Sequence, residues 1–259
     1  MAYEISVNLE YMFHEAGERI EDRIAAAATA GFRKVELFNT TGRDVRSLAR
    51  ALGDHGAELW TAVADPRTRL IEPETHATFR DLFRRAAEDA VALGCRRVVV
   101  GSGPGVPWMK RPVQLGLVAD AVAGIVPIAE ELGVTAILEA VNIRVDHPGV
   151  LFSRTEDCVA VIDKVASPRV RLLYDMYHSI VEGEDPEVVV PAVAHLIEHV
   201  QIADAPGRGE PGSGTIAWPA MLRLLAENGY AGPIGIECVP TLPSTAEALG
   251  LIRELCASA

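Results

Sequence analysis

A repeated unit of helix, glycine and strand runs through this chain. Alanine-rich amphipathic stretches end in a glycine and are followed within a few residues by an apolar run, as in AAAATAGFRKVEL, ARALGDHGAELWTAV, AEDAVALGCRRVVV, AEELGVTAIL and LAENGYAGPIGIE. A glycine just past the last helical turn can adopt the left-handed conformation that ends a helix. Continuous Val, Ile and Leu runs suit parallel strands that are buried on both faces. The unit therefore predicts helices alternating with parallel strands.

Eight apolar runs predict eight strands, near residues 4–9, 34–38, 57–63, 97–101, 134–139, 170–175, 197–202 and 233–237. Helical patterns fill the intervals at 14–31, 44–54, 76–93, 113–132, 155–165, 186–195 and 218–228. Eight strands alternating with helices in 259 residues match the size of a single (β/α)8 barrel. We predict an α/β fold, a (β/α)8 TIM barrel with a single domain over residues 1–259. A doubly wound open sheet is the alternative, but its glycine fingerprint does not follow the first strand.

Composition narrows the functional class. The hydrophobic fraction of 49% without a long uncharged apolar run predicts a globular, soluble chain with no membrane span. The start MAYEISVNLEYMF does not resemble a signal peptide, so we expect a cytoplasmic protein. The four cysteines, Cys95, Cys158, Cys238 and Cys256, lack the paired spacing of disulfide frameworks or zinc knuckles. A net charge of −12 disfavours a nucleic-acid partner.

Oxygen-bearing side chains stand where four consecutive predicted strands end. They are Glu139, Asp175, Gln201 and Glu237, with His178 just after the sixth strand. Any one of these carboxylates alone could cap the following helix. In a barrel, however, strand ends meet at one rim, and burying three carboxylates together is unfavourable without a cation. Hard oxygen donors favour Mg²⁺ or Mn²⁺, with Co²⁺ and Zn²⁺ left open.

Four motifs carry a family resemblance: LEAVNIR, LLYDMYH, HVQIADAPGRGEPGSGTI and GIECVP. They resemble the hydroxypyruvate isomerase branch of the xylose isomerase-like TIM barrels, and the likeness extends over nearly the whole chain. It implies that the metal ligands are Glu139, Asp175, Gln201 and Glu237, and that Glu139 and Glu237 are also the catalytic acid/base pair. It further implies substrate-binding roles for His178, Arg208, Glu210, Asn142 and Arg144.

The resemblance implies a metal-dependent isomerase of the aldose–ketose type. Its reaction would interconvert a 2-keto/hydroxy-aldehyde pair through an enediolate. The substrate would be a small hydroxy-keto acid or sugar, and hydroxypyruvate, with tartronate semialdehyde as its product, is the first choice. A ketose 3-epimerase is the first alternative, although such enzymes carry histidine at the Gln201 position and glutamate at the Val145 position. A keto-inositol dehydratase and a non-catalytic barrel are further alternatives. A DNA-repair endonuclease fits poorly, because the chain is acidic and few histidines are expected at the rim.

One segment has no assigned role. Residues 101–113 follow the fourth predicted strand and contain GSGPGVPWMKRPV. Glycines and prolines predict a loop here instead of a helix start. The loop can act as a lid over the site or as a contact in a homo-oligomer, and the sequence does not choose between them.

Overall fold

The structure, a computed structural model, describes residues 3–64 and 68–257. Its strands are β1 (Ile5–Asn8), β2 (Lys34–Leu37), β3 (Glu58–Val63), β4 (Arg97–Val100), β5 (Thr135–Glu139), β6 (Val170–Asp175), β7 (Ile197–Ile202) and β8 (Ile234–Ile236). Each strand pairs in parallel with the next, and β8 pairs with β1. The predicted (β/α)8 barrel is therefore confirmed, and it is closed.

Helices surround the barrel. They are α1 (Ile20–Thr29), α2 (Val45–His55), α3 (His76–Ala92), α4 (Arg111–Ala123), α5 (Val126–Leu132), α6 (Thr155–Val165), α7 (Met176–Glu182), α8 (Pro186–Val193), α9 (Trp218–Glu227) and α10 (Thr245–Ala257). Short 3-10 turns lie at His14–Ala16, Pro73–Thr75 and Ala194–Leu196. The glycines at the ends of α2 and α5 have positive φ, as the repeated unit predicts.

The helices differ from the sequence-based prediction in three places. The predicted helix 14–31 is interrupted, because Gly17 has a φ of 137° and helical residues cannot adopt this angle. The predicted helix 113–132 divides into α4 and α5, where Pro127 has no N–H to continue the helical hydrogen bonds. Helices α7 and α10 were not predicted.

The segment Arg111–Leu132 is long and apolar enough to cross a membrane by length and composition. In the structure, 44% of its most apolar window is buried. Helix α4 packs against α6, and α5 packs against α3. The segment is thus part of the helical layer around the barrel, and core helices share this apolar composition.

Side chains of a strand point alternately into and out of the barrel, so residues two apart share the interior. Part of the interior is apolar, where Val63, Val99, Ile137 and Leu173 form a cluster separate from the main core. Other inward positions of the barrel strands and their ends are polar. We call Glu36, Thr61 and His199 the lower layer, and we call Glu139, Asp175, Gln201 and Glu237 the rim layer.

The two layers are linked by this alternation. Gln201 comes two residues after His199 on β7, and Glu237 comes two residues after Gly235 at the end of β8. A Cβ atom on Gly235 would lie 2.5 Å from Glu36 Oε1 and 2.7 Å from His199 Nε2. Only glycine therefore fits at position 235, because Glu36 and His199 of the lower layer occupy the space that a side chain would need.

Candidate active site

A cavity of about 210 Å³ opens at the carboxyl ends of the strands. Its lining residues are Asn8, Tyr11, Leu37, Phe38, Thr61, Val63, Val99, Glu139, Val141, His147, His178, Gln201, Arg208 and Glu237. Asp175 is buried next to this lining, and single ligand atoms of Glu139, Asp175 and His178 lie within 4.8 Å of one another. The structure thus brings the four rim-layer residues, His178 and Arg208 to one place.

The amide of Gln201 has a defined orientation. Its Nε2 donates to Glu36 Oε2 at 2.8 Å and to Glu237 Oε2 at 3.0 Å. Both amide hydrogens are therefore occupied by carboxylates. Its Oε1 is buried and has no hydrogen-bond partner among the residues that the structure describes. A buried acceptor without a donor is unfavourable, and a cation is one group that can satisfy it.

The three rim-layer carboxyls have raised pKa values. Burial raises the pKa of Glu139 well above its usual range, and the neighbouring charges of Glu237 and Asp175 raise it further. Burial also raises the pKa of Asp175 to about 6, although Arg208 opposes the shift. The pKa of Glu237 is raised by burial against the same opposing charge. Three acids with raised pKa values beside a free amide oxygen form an all-oxygen set that suits a hard divalent cation.

The two glutamates differ in how firmly they are held. Glu237 Oε2 accepts from Asn8 Nδ2 and from Gln201 Nε2, each at 3.0 Å. Its other oxygen, Oε1, accepts from Arg208 Nη2 at 2.5 Å. For Glu139, by contrast, no residue within 3–64 or 68–257 donates a hydrogen bond to the carboxylate. Glu237 is fixed, and Glu139 is free to turn towards a bound molecule.

Arg208 lies in the loop after β7 and reaches into the cavity. Its backbone φ is 56°, an angle that non-glycine residues rarely adopt. Its guanidinium lies 5.3 Å from the ring centre of Tyr11 and 5.4 Å from that of Tyr177. Its Nε is buried and has no hydrogen-bond partner within the described ranges. A planar cation between two aromatic rings with a free N–H is suited to a carboxylate or hydroxyl group.

Asp204 organises the loop that carries Arg208. Its carboxylate accepts from Gly212 N at 2.7 Å, from Trp218 Nε1 at 2.9 Å and from Ile216 N at 3.2 Å. The side chain is fully buried. The acidic residue at the end of β7 therefore closes a compact loop, and this loop holds Arg208 over the rim layer.

His178 belongs to α7, which begins at the rim because the Asp175 side chain accepts from His178 N at 2.9 Å. The imidazole is buried and stacks edge-on against His147, with ring centres 5.3 Å apart. Burial lowers the pKa of His178 well below its usual range, and the Arg208 charge lowers it further. The ring is therefore neutral, and its Nδ1 lies 2.7 Å from Asn142 Nδ2.

Three other residues to which the resemblance assigns substrate binding are not among the described residues that line the cavity. Asn142 is buried behind His178. The Arg144 side chain is 58% exposed, with its Nε 3.6 Å from Glu182 Oε1. Glu210 accepts from Thr241 N at 2.7 Å and from Thr241 Oγ1 at 2.8 Å, and so ties two loops together. Their contact with substrate stays a prediction.

Some residues of the site were not singled out from the sequence. Asn8, Tyr11, Phe38 and His147 line the cavity, and Glu36 binds the Gln201 amide beneath it. Strand alternation could have indicated Asn8, which sits at the end of β1. The other three lining residues lie on loops, where one sequence does not define side-chain direction.

Comparison with known proteins identifies the family. A model of the xylose isomerase-like TIM barrel family matches residues 24–255. The chain belongs to this family. Within it, a putative hydroxypyruvate isomerase from Streptomyces coelicolor is 31% identical over 255 residues, covering 91% of this chain and 90% of the relative. A 2-oxo-tetronate isomerase from Cupriavidus necator is also 31% identical, covering 96% of each chain.

A third relative in this family has a closely related name. The hydroxypyruvate isomerase of Escherichia coli is 29% identical over 245 residues, covering 91% of this chain and 93% of the relative. The hydroxypyruvate isomerase branch inferred from the four motifs is thus confirmed, as is the prediction of an enzyme of the isomerase class.

Solved structures agree on the xylose isomerase-like fold. A crystal structure of an AP endonuclease, family 2, from Brucella melitensis superposes with a TM-score of 0.90 at 26% identity, covering 97% of this chain and 98% of that one. The structure of an L-ribulose 3-epimerase superposes with a TM-score of 0.82 at 21% identity, covering 99% and 96%. The second likeness shows the fold alone.

Proposed function

We propose that this protein is a metal-dependent aldose–ketose isomerase that interconverts hydroxypyruvate and tartronate semialdehyde through an enediolate. One observation carries the proposal: the buried rim layer combines three carboxyls of raised pKa with an unpartnered amide oxygen, directly beside Arg208. The names of the relatives from Streptomyces coelicolor and Escherichia coli support this substrate.

The rim layer fits a divalent cation. Glu139, Asp175, Gln201 and Glu237 would hold it through oxygen atoms, and the orphaned Gln201 Oε1 is the donor that the lower layer leaves free. An all-oxygen set favours Mg²⁺ or Mn²⁺. When bound, such an ion neutralises the carboxylates and stabilises negative charge that develops on substrate oxygen atoms.

The reaction needs a proton removed from one carbon and a proton added to the next. In hydroxypyruvate, Glu139 takes a proton from C3, and the electron pair of that C–H bond becomes the C2–C3 double bond of the enediolate. A proton then adds to C2, while the hydroxyl proton on the C3 oxygen moves to the C2 oxygen, which gives the aldehyde isomer without gain or loss of atoms. Glu139 suits the base because its carboxylate accepts no hydrogen bond from the described residues, so an oxygen not needed to hold the cation is available to the substrate.

The remaining groups bind and orient the substrate. Arg208 has a free buried N–H and can take the substrate carboxylate, while its Nη2 keeps Glu237 in place. Glu237 is the second member of the acid/base pair and delivers its own proton to C2; exchange with solvent then returns both glutamates to their starting protonation states. A cavity of about 210 Å³ is below the range typical of drug-sized ligands, which supports a small acid as substrate.

A second candidate substrate is a 2-oxo-tetronate. It is favoured by the Cupriavidus necator relative, which is as similar in sequence as the Streptomyces coelicolor one. The chemistry of the site is the same, and the substrate has one more carbon. The ketose 3-epimerase stays an alternative and differs in where the proton returns.

Proton NMR in heavy water distinguishes these reactions. Metal-stripped protein, with and without added Mg²⁺, is incubated with hydroxypyruvate, with 2-oxo-tetronate and with a panel of ketoses. We expect Mg²⁺-dependent tartronate semialdehyde with solvent deuterium at the new C–H bond, and none with the Glu139→Gln variant. Turnover of 2-oxo-tetronate and not of hydroxypyruvate would identify 2-oxo-tetronate as the substrate. Exchange only at C3 of a ketose would overturn the isomerase proposal in favour of the epimerase.

A further inference from the structure

We propose that Asn142 is a positioning residue that keeps the ring hydrogen of His178 on Nε2, so that His178 and Arg208 donate hydrogen bonds to the same substrate oxygen. The identity of that oxygen rests on the proposed function. The position of the ring hydrogen does not, since it follows from contacts within the chain.

The amide of Asn142 can adopt only one orientation. Its Oδ1 accepts from Val145 N and from Asp146 N, each at 3.0 Å. Turning the amide over would place its NH₂ group against these two N–H groups. The NH₂ group therefore faces the other way, where it lies 2.6 Å from Asp146 Oδ2 and 2.7 Å from His178 Nδ1.

This orientation decides which ring nitrogen carries the hydrogen. An amide nitrogen has two hydrogens and only donates, so His178 Nδ1 must be the acceptor of the contact with Asn142. An Nδ1 that accepts cannot carry a hydrogen, which excludes the imidazolium form as well. The single ring hydrogen is then on Nε2.

The Nε2–H group meets a second donor. It lies 3.3 Å from Arg208 Nη2, and a guanidinium has no lone pair with which to accept. Two donors therefore converge on one corner of the cavity, above the rim layer. One oxygen of a bound substrate can accept from both, and a developing oxyanion gains most from such a pair.

The same assignment decides between two metal-ligand sets. Geometry alone would allow an imidazole ligand, because ligand atoms of His178, Glu139 and Asp175 lie within 4.8 Å of one another. A ring nitrogen that carries a hydrogen has no free lone pair for a cation. The ligands are then the four oxygen donors of the rim layer, and His178 is left to the substrate.

The charges around the ring would favour the opposite arrangement. Asp146 Oδ2 lies 4.0 Å from Nδ1 and attracts a hydrogen there, while the Arg208 guanidinium favours a bare Nε2. Asp175 Oδ2, 4.0 Å from Nε2, favours the hydrogen there, and the Glu139 carboxyl lies close to the same group. Removing the Asn142 donor should therefore release the hydrogen to Nδ1.

Two-bond nitrogen–proton NMR spectra of protein labelled with ¹⁵N-histidine report the tautomer directly, with a His178→Gln variant for assignment. At about pH 8 we expect protonated Nε2 and bare Nδ1 for His178, unchanged when Mg²⁺ is added. A bare Nε2, or an Nε2 resonance that shifts as a metal ligand would, overturns the proposal. This result does not depend on whether hydroxypyruvate is the substrate.

Two variants test the role of Asn142 itself. Asn142→Leu keeps the side-chain size without a donor, and we expect the hydrogen to move to Nδ1 and kcat/KM to fall by roughly 10- to 100-fold, while the Kd for Mg²⁺ stays within about threefold. Asp146→Asn is the matched control, since it removes the nearby charge but leaves the Asn142 donor, and it should keep the wild-type tautomer. A reversed tautomer in Asp146→Asn, or an unchanged one in Asn142→Leu, overturns the proposal. If Asn142→Leu does not fold, the wild-type and Asp146→Asn spectra still decide.

Discussion

The lower layer and the rim layer both contain buried acids, yet their electrostatics are opposite. Glu36 is fully buried, but its pKa is lowered, because bonds from His199, Gln201 and its other neighbours outweigh the effect of burial. Two residues further along the strands, the carboxyls of the rim layer have raised pKa values. In the lower layer, other side chains of the chain donate hydrogen bonds to the buried acid. In the rim layer, the hydrogen bonds to the buried acids are incomplete, which leaves room for an ion and a substrate.

The lower layer also orients the rim layer. Trp60 Nε1 donates to His199 Nδ1 at 3.2 Å, which leaves the other ring nitrogen, Nε2, to donate to Glu36 Oε1 at 2.9 Å. Glu36 Oε2 in turn holds the NH₂ group of Gln201 and leaves the amide oxygen for the cation. The lower layer therefore determines that the rim layer presents the amide oxygen of Gln201 to the cation.

The largest effect is expected at Glu237. Replacing it by Gln keeps the shape but removes an acid/base group and a metal ligand, and we expect kcat to fall by about 10³-fold. Steady-state rates at saturating Mg²⁺ measure this. Glu184→Gln is the matched control, because Glu184 binds Thr155 at the start of α6. More than a tenth of the wild-type rate in Glu237→Gln would contradict the assigned role.

Stability should respond in opposite directions in the two layers. In metal-free protein, Glu36→Gln replaces the charged acceptor of the buried hydrogen bond from His199 and should lower the free energy of unfolding by up to about 3 kcal/mol. Glu139→Gln removes repulsion instead, and stability should stay the same or rise. Urea unfolding at neutral pH with a chelator present compares them. Two changes of the same sign would mean that the layers do not differ as described.

The pH dependence of the free energy of unfolding, measured without metal, should reveal the contribution of Asp175. Its pKa is raised in the folded state to about 6, so its contribution is fully present below the unfolded pKa and is lost as pH rises through 6. Between about pH 4 and pH 8, wild-type protein should lose about 2 to 3 kcal/mol relative to Asp175→Asn, and Mg²⁺ should restore it. Parallel stability curves for the two proteins would exclude the raised pKa.

The smallest effect is expected at Arg144. The side chain is mostly exposed, and its ion pair with Glu182 is long. Arg144→Ala should change the free energy of unfolding by less than about 1 kcal/mol and kcat/KM by less than about threefold. Steady-state kinetics with hydroxypyruvate test this. A tenfold rise in KM would support the substrate contact that the family resemblance implies.

Much of this fold can be predicted from the sequence, because buried parallel strands and helix-ending glycines are local patterns. All eight predicted strands lie within two residues of those in the structure. Helix α7 was not predicted because its seven residues are too few to show a helical period, although capping by Asp175, which the structure shows through His178 N, was open from the sequence. Helix 14–31 was predicted too long because an isolated glycine such as Gly17 can also lie inside a helix, so the sequence does not show the interruption.

The candidate site was predictable to a similar extent. Strand ends indicate the four rim-layer residues, since barrel geometry alone brings strand ends together. The lower layer could have been inferred from alternation, because His199 precedes Gln201 by two residues. The directions of the Glu210 and Arg144 side chains could not have been inferred from the sequence. Both residues lie on loops, where Glu210 contacts Thr241 and Arg144 contacts Glu182.

Calorimetric titration of Mn²⁺ into metal-free protein tests the central claim most directly, namely that the rim layer is completed by a cation. Titrations in two buffers of different ionisation enthalpy count the protons released. We predict one ion bound per chain, with proton release at about pH 6.5 that declines towards pH 9, because the ion displaces protons from carboxyls of raised pKa. No binding, or binding without proton release at the lower pH, would contradict the account.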